Sequence, residues 1–254
     1  MKINTKNPLY VVVFSVASSI VFTAGIMLIQ VAAQGAIDRN QKLLEQKALL
    51  ELFKLGDPRA MPAREIARTV ETRTRRMELT DPQTGRTMRV VVAYEGELSR
   101  SFVRVRGYAV PIEGMGFWDV IRGYIAVAGD LTRVLGVTFL RHAETPGLGG
   151  EIMNPQWRRK WEGLRVSPPA QGGRFVYIGG SAPDSSQDPR QGRFVEAITG
   201  ATGTSTAVAK FVNEDLAAFQ RAARAAGLIP DGVEKPSGQS APPQTPPGPE
   251  SEGR

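Results

Sequence analysis

The sequence contains no cysteine and a single histidine, His142. Without cysteine the chain cannot form disulfides, supply a thiolate nucleophile, bind zinc through sulfur or hold an iron–sulfur cluster. One histidine also cannot provide the ligand set of an all-histidine metal site, so we expect no metal site and take His142 as a structural residue with a local hydrogen bond. Any redox chemistry would have to come from an organic cofactor or a partner.

The balance of charge is positive but not concentrated. The 254 residues include 32 Lys and Arg against 25 Asp and Glu, a formal net charge of +7, and 41% of them are hydrophobic. That composition suits a folded core in one large or two small domains. The basic residues are scattered among acidic ones, and the two tight clusters, residues 73–76 and 158–160, are not interleaved with stacking aromatics. We therefore expect a solvated basic surface and no nucleic-acid partner.

A long stretch without charge lies near the N-terminus. Residues 7–37 carry no charged side chain, and the apolar part, Leu9 to Ala33, has 25 residues. At about 1.5 Å per residue this exceeds a hydrocarbon core of roughly 30 Å. A cleaved signal with a site at Val31-Ala32-Ala33 is the alternative, but the run is long for a signal. We predict an N-terminal segment (1–8) and a single membrane-spanning helix (9–33), and the flanking charges leave its orientation open.

The rest of the chain predicts an α+β domain. A stalk or docking segment (34–56), predicted to be helical over Asp38 to Leu55, precedes a domain over 57–229. The Pro-rich tail over 230–254 holds 7 of the 18 prolines and is predicted to be disordered. Strands followed by a helix favour α+β over regular βαβ alternation. Further helices are predicted at Ala63–Met77 and Thr204–Ala226, and strands at Met77–Thr80, Thr87–Tyr94, Phe102–Val110, Gly123–Val127, Val134–Arg141, Arg174–Ile178 and Arg193–Ile198.

Residues 196–205 are the first candidate site. A predicted strand ends at Ile198, small and hydroxyl residues follow, and a helix is predicted to begin near Thr204. Such a junction suits a phosphate, because glycines allow close approach and the helix N-terminus offers unpaired N–H groups. An ordinary N-cap built from threonine and serine is the alternative.

Two further glycine-rich segments stand out. Residues 144–151 follow a predicted strand and require a loop whose backbone can approach a flat ring or a phosphate closely, although a plain connecting loop has the same composition. Residues 114–118 indicate a glycine turn followed by two aromatic core residues, Phe117 and Trp118. We likewise expect Trp157 and Trp161, four residues apart, to pack in a core or interface.

These segments together resemble a known family. Thr199-Gly200-Ala201-Thr202 is similar to the S/T-G-A-T flavinylation motif of the FMN-binding domain family. The order of the anchor, residues 114–118, residues 144–151 and this motif resembles the C subunit of the sodium-translocating NADH:quinone oxidoreductases, over about residues 8 to 226. One residue departs from the pattern, since Glu196 stands where the motif has aspartate six residues before the modified threonine.

The resemblance implies a fold, a cofactor and a cellular location. The fold is a transmembrane helix followed by a soluble FMN-binding domain, with a mainly antiparallel sheet flanked by helices. The cofactor is FMN, joined to Thr202 through a phosphoester by a separate flavin transferase. The protein is expected in the bacterial inner membrane as a single-pass subunit, with its soluble domain on the periplasmic side. The implied cofactor-binding residues are Thr199, Gly200, Ala201, Thr202 and Thr204, with Glu144, Thr145, Gly147, Leu148 and Gly149 along the isoalloxazine.

The implied function is electron relay. The chain would pass electrons between other subunits of a complex that couples NADH:quinone (ubiquinone) reduction to sodium export, without a catalytic acid or base of its own. The homologous G subunit of the ion-pumping Rnf complex shares the S/T-G-A-T motif and the E-T-P-G-L-G loop, but residues 114–118 and Gly150-Glu151 favour the quinone oxidoreductase. An FMN domain serving a different extracytoplasmic reductase is another alternative. A membrane-anchored binding module without a redox role is the alternative of a different class.

Overall fold

A single long helix opens the chain. The computed structural model describes residues 8–98, 104–169 and 173–229, and its first element is helix α1 (Pro8–Leu52). It runs without a break through the segments predicted as membrane span and stalk. Within the described ranges, α1 is the one helix long and apolar enough to cross a membrane. Its 45 residues extend for about 68 Å at 1.5 Å per residue. The predicted tail, 230–254, lies outside the described residues.

A five-stranded antiparallel sheet follows helix α2 (Ala63–Arg73). Its strands are β1 (Thr74–Thr80), β2 (Thr87–Glu95), β3 (Arg104–Met115), β4 (Val120–Ala128) and β5 (Val134–Arg141). They pair in chain order, each antiparallel to the next. The predicted hairpin around residues 81–85 is confirmed: Asp81 N–H donates to Arg86 O, and Gly85 has φ +70°. The α+β class predicted from the sequence is confirmed.

Smaller elements connect the sheet to the last helix. A 3₁₀ segment (Gly149–Met153) and the short helix α3 (Pro155–Arg159) follow β5, and neither was predicted. The short strands β6 (Tyr177–Gly179) and β7 (Phe194–Glu196) form a parallel pair. Helix α4 (Thr202–Ala225) ends the described chain and begins two residues before its predicted start.

Helices cover both faces of the sheet. The larger core lies between the sheet, α4 and the segments after β5, and the smaller core lies under α2 and the C-terminal end of α1. The largest fully buried side chains of the larger core include Trp161, Phe139, Phe219, Ile112, Ile121, Ile125, Ile152 and Leu216. The smaller core is formed by Leu49, Leu50, Leu52, Phe53, Ile66, Val70, Val91, Ala93, Ala109 and Ala126. Its alanines leave room on the sheet for the helices to approach closely.

Several predicted boundaries are wrong for local reasons. The second helix ends at Arg73 instead of Met77, because Thr74 is already extended (φ −133°, ψ 153°) and starts β1. Strand β3 continues to Met115, beyond the predicted end at Val110, and so absorbs Gly114, which was expected to turn the chain. Helix α1 ends at Leu52, three residues early, where Lys54 adopts φ +52°.

An ion pair between α4 and the first hairpin gives a pH-dependent prediction. Asp81 is fully buried and accepts from Arg221 Nε (2.9 Å) and Nη2 (2.7 Å) and from Thr84 Oγ1. The Arg221 guanidinium holds the pKa of Asp81 well below its usual range. The resulting stabilisation is complete above the unfolded pKa of about 3.9 and is lost as the pH falls through the folded value.

We therefore expect Asp81→Asn to melt at a lower temperature than the wild type at pH 7, with the difference narrowing below about pH 4. Thermal unfolding of the full chain across this pH range measures this difference in melting temperature. The matched control is Glu78→Gln, which removes an exposed ion pair with Arg89 and should change the unfolding free energy by less than about 0.5 kcal/mol. If the difference in melting temperature between Asp81→Asn and the wild type stayed constant well below about pH 4, the ion pair between Asp81 and Arg221 would not be its cause.

Candidate functional site

Three glycine-rich segments, far apart in sequence, meet around one cavity of about 230 Å³. They are the β3–β4 turn, the loop after β5 and the start of α4, which are the segments singled out by the sequence. The cavity is lined by Phe117, Trp118, Glu144, Thr145, Leu148, Gly149, Gly200, Ala201, Gly203 and Thr204. The sequence identified the three segments separately, and the fold brings them together around this cavity.

The buried carboxylate of Glu144 joins the three segments. Its Oε1 accepts from the backbone N–H groups of Phe117 (2.8 Å) and Trp118 (3.2 Å), and its Oε2 accepts from Thr204 Oγ1 (2.5 Å). The side chain is only 4% exposed, and no Lys or Arg in the described ranges pairs with it. Neighbouring backbone lies very close, since a Cβ at Gly149 would fall 2.6 Å from Oε2. Glu144 thus fixes the cavity walls to one another.

Two aromatic side chains at the cavity are exposed, which corrects the prediction that they are core residues. Phe117 is 61% and Trp118 62% exposed, and their rings pack edge to face with centroids 5.1 Å apart. Trp118 Nε1 donates to Thr145 Oγ1 at 3.1 Å. A Cβ at Gly203 would come within 2.7 Å of the Phe117 ring, so the α4 backbone touches this ring directly. Large rings held in the open beside a cavity form an apolar wall for a ligand.

The N-terminus of α4 carries unpaired donors. Its N-cap is Ala201, with no side-chain cap, so the alternative of an ordinary threonine or serine N-cap is wrong. The first bond into the helix runs from Ser205 N–H to Ala201 O, and within the described part of the chain the N–H groups of residues 202–204 have no acceptor. Such a terminus favours an anion.

The hydroxyl groups around this terminus differ in availability. Thr204 and Ser205 are buried, and their oxygens are engaged with Glu144 and with the Ile198 N–H, respectively. Thr202 is exposed, and its hydroxyl has no hydrogen bond to the described residues. It occupies the first position of α4, between the cavity residues Ala201 and Gly203.

The predicted site residues fall into three groups. Glu144, Thr145, Leu148, Gly149, Gly200, Ala201 and Thr204 line the cavity. Thr199 and Gly147 instead line an adjoining cavity of about 340 Å³. Thr202 lines neither of these two cavities, although its chain neighbours Ala201 and Gly203 line the first. Phe117, Trp118 and Gly203 line it although they were not predicted as site residues.

The adjoining cavity contains the residue that departs from the flavinylation pattern. Glu196 Oε2 accepts from Lys160 Nζ at 2.5 Å, and this bond lowers the pKa of Glu196. The Glu196 carbonyl accepts from Trp157 Nε1 at 2.8 Å. Trp157 and Trp161 are buried against each other as predicted, and His142 forms its expected local bond by accepting from Glu144 N–H at Nδ1.

The cavity lies at the end of the sheet that points toward the apolar part of α1. Near the start of β3, Arg106 Nε donates to Phe53 O, just beyond the C-terminal end of α1. Further along the sheet, Tyr124 OH donates to Glu45 Oε1, and Glu45 precedes Phe53 by eight residues in the chain. Strand β3 therefore runs back along α1 and ends at Met115, directly before the cavity turn.

The close contact at Gly149 predicts a loss of stability on enlargement. A Cβ there would collide with Thr204 Oγ1 and Glu144 Oε2, so we expect Gly149→Ala to lower the unfolding free energy by about 1–3 kcal/mol. Gly180→Ala is the matched control, because no atom lies within 4 Å of its added Cβ. Thermal unfolding compares the two, and equal melting temperatures would contradict the described packing.

Part of the chain is similar in sequence to known proteins. The FMN-binding domain family matches residues 116–217. The chain is 42% identical over 101 residues to the C subunit of the Na(+)-translocating NADH-quinone reductase of Pseudomonas aeruginosa, which covers 39% of this chain and 37% of that protein. It is 31% identical over 154 residues to the protein of the same name from Chlamydia trachomatis, covering 57% and 47%. The chain thus spans less than half the length of these curated relatives.

Solved structures share the fold. The crystal structure of the C subunit of the Na(+)-translocating NADH-quinone reductase from Parabacteroides distasonis superposes with a TM-score of 0.55 at 19% identity, covering 73% of this chain and 94% of that one. Shewanella oneidensis NqrC gives a TM-score of 0.52 at 20% identity, covering 73% and 90%. Residues 116–217 are thus similar to the FMN-binding domain family, and the chain, as its sequence predicts, resembles the C subunits of the Na⁺-translocating NADH-quinone reductases.

Proposed function

We propose that the chain is a membrane-anchored electron carrier that holds FMN covalently on Thr202. The observation that carries this proposal is the convergence of three glycine-rich segments on one cavity, whose lining includes both chain neighbours of the exposed Thr202. The cavity residues fit such a group: Phe117, Trp118 and Leu148 offer apolar surface to a flat ring. The free N–H groups at the start of α4 suit its phosphate.

Exposure argues for Thr202 as the attachment site. Esterification needs a hydroxyl that a flavin transferase can reach, and the hydroxyls of Thr204 and Ser205 are buried and hydrogen-bonded. Thr199 is exposed as well, but it faces the adjoining cavity. Thr202 combines exposure with a position next to the unpaired N–H groups.

A covalent tether suits this site. A phosphodiester on Thr202 keeps one negative charge, which the N-terminus of α4 would stabilise by about 0.3–1 kcal/mol. That is too little to retain a cofactor during repeated electron transfer. A bond between Thr202 Oγ1 and the FMN phosphorus, formed with the net loss of one water from the hydroxyl proton and a phosphate oxygen, would remove the need for tight non-covalent binding.

In this proposal the chain's own residues position the flavin ring and shield it from solvent. FMN supplies the electron chemistry when bound. Glu144 holds the β3–β4 turn against α4, and Thr145 orients the Trp118 indole through its hydroxyl. Gly147 and Leu148 shape the loop beside the ring, where Gly147 adopts φ +74°. We assign no catalytic acid or base among these residues.

At the level of the assembly, we infer a subunit of a bacterial inner-membrane NADH-quinone reductase that exports sodium, with the domain on the periplasmic side. The names of the relatives support the assembly, and α1 supports the anchor. The position of the cavity at the α1-facing end of the sheet favours exchange with partner subunits near the membrane. A separate flavin transferase would load the cofactor.

Co-purification tests the assembly. The tagged full chain, solubilised in mild detergent from its own cells, is expected to bring other subunits with it and to reduce quinone with NADH in a Na⁺-stimulated reaction. Recovery of an Rnf-type complex would instead identify the chain as the G subunit of that complex. Recovery of the chain without flavin and without redox partners would favour a non-redox binding module instead.

A further inference from the structure

A large basic groove separates the stalk part of α1 from the sheet. It has a volume of about 1030 Å³ and lies on the sheet face that α2 and the end of α1 cover elsewhere. The α1 side of the groove spans residues 38–45. Its six cationic side chains are Lys42, Arg76, Arg86, Arg89, Arg122 and Arg141, against three acidic ones, Asp38, Glu45 and Glu78.

Two of the cations lack an acidic partner. Arg122 forms a bidentate ion pair with Glu113, at 2.9 and 3.1 Å, whereas neither Lys42 nor Arg141 has a carboxylate within 4 Å among the described residues. Arg141 also lies directly opposite Arg122 in the β4–β5 ladder. Because Glu113 already offsets the charge of Arg122, the unpaired positive charge of the groove lies on Lys42 and Arg141, where an anion would be attracted.

The groove opens at the outer edge of the lipid headgroup layer, given the membrane anchoring proposed above. Asp38 and Arg39 are the first charged residues after the apolar run of α1. Each headgroup layer is about 5–8 Å thick, which at about 1.5 Å per residue corresponds to four or five residues of a helix. Counted from the predicted end of the span at Ala33, residues 34–38 would cross this layer, so the groove residues Asp38, Gln41 and Lys42 would lie at its outer edge and just beyond it.

We propose that this groove binds the headgroups of anionic phospholipids. Arginine recognises phosphate oxygens with pairs of N–H donors, and basic clusters next to a membrane helix attract anionic lipids. Strand β5 ends at the groove residue Arg141, and the loop that follows it contains Glu144 and lines the candidate FMN cavity. A headgroup seated in the groove therefore fixes the orientation of that cavity relative to the membrane.

Native mass spectrometry of the full chain in detergent tests the proposal. Phosphatidylglycerol or phosphatidylcholine with identical acyl chains is added, and the lipid retained by the chain is measured. We expect several-fold preferential retention of phosphatidylglycerol. The double variant Lys42→Gln/Arg141→Gln should lose the preference, whereas Arg64→Gln/Lys210→Gln, with the same change of net charge on exposed residues elsewhere, should keep it.

Several outcomes would overturn the proposal. Equal retention of both lipids, or an equal preference in both double variants, would show that the groove does not select headgroups. Residues 230–254 contain Asp231, Glu234, Glu250 and Glu252, so a preference that emerges only after their removal would make the chain's own tail the occupant. Crosslinking of Arg141→Cys to an acidic segment of another subunit would make a protein the occupant.

Carbonate extraction separates this proposal from the anchoring on which it rests. A chain that stays in the membrane without lipid preference contradicts the groove assignment alone. A chain released by carbonate contradicts the anchor and the groove together.

Discussion

Replacing Thr202 with alanine is expected to reduce NADH-quinone reduction by the proposed complex to background. The variant lacks the only oxygen to which we assign the phosphoester, so the carrier has no cofactor to reduce. The fold should not suffer, because Thr202 is exposed and its hydroxyl has no hydrogen bond to the described residues. The unfolding free energy should change by less than about 0.5 kcal/mol.

Two matched variants sharpen this experiment. Thr202→Ser keeps a hydroxyl at the same position and should retain activity. Thr206→Ala removes another exposed threonine from α4, four residues later, and should behave as the wild type. Activity is measured with the assembled complex in membranes. Full activity of Thr202→Ala would remove the chain from the electron path or move its flavin elsewhere.

Replacing Glu144 with alanine is expected to cause the largest loss of stability, about 3–5 kcal/mol. The change leaves three donors without an acceptor: the N–H groups of Phe117 and Trp118 and the hydroxyl of Thr204. It also opens a void in the tightest part of the site, where Glu144 is 4% exposed. Denaturant unfolding measures the loss, and amide hydrogen exchange at residues 117 and 118 localises it.

Conservative replacement of Glu144 separates hydrogen bonding from charge. In Glu144→Gln the amide oxygen can still accept from both backbone N–H groups, and the amide nitrogen can donate to Thr204, so we expect a loss of about 1–2 kcal/mol. The control Glu162→Ala removes an exposed ion pair with Lys54 and should cost less than about 1 kcal/mol. Equal losses for Glu144→Ala and Glu162→Ala would contradict the role of Glu144 in joining the segments.

Local patterns in the sequence were sufficient for most of the fold. Strand β5 was predicted over its full length, Val134–Arg141, and the turn at residues 81–85 identified the first hairpin. The two ends of α2 show the limit of this reading. Its start at Ala63 was predicted, but its end was not, because the change from helix to strand at Thr74 depends on pairing with Ala93 in β2.

The site was predicted in pieces but not as an arrangement. Glu144 and Thr204 are 60 residues apart, and no local pattern shows that a buried carboxylate joins them. Phe117 and Trp118 were expected in the core because aromatic residues after a glycine turn usually pack inward. Their exposure follows from the position of the β3–β4 turn at the end of the sheet, where α4 and the loop after β5 leave space for a ligand.

The cavity lies at the end of the domain that points toward the apolar part of α1. Residues beyond the end of β3 and β5 line the cavity, and both strands lead toward the apolar part of α1. Sequence patterns predicted the anchor and the domain separately, and their relative placement comes from contacts such as that between Tyr124 and Glu45. This placement is the physical reason that we favour electron exchange close to the membrane surface.

The central claim, covalent FMN on Thr202, is tested most directly by flavin fluorescence of the denatured chain. The full chain is co-expressed with a flavin transferase, separated on a denaturing gel and weighed intact, together with Thr202→Ala and Thr204→Ala. We expect a fluorescent band, with the added mass of FMN less one water, for the wild type and for Thr204→Ala, and none for Thr202→Ala. Fluorescence and added mass that persist in Thr202→Ala, or that are absent from the wild type while a known flavinylated control is modified, would contradict the account.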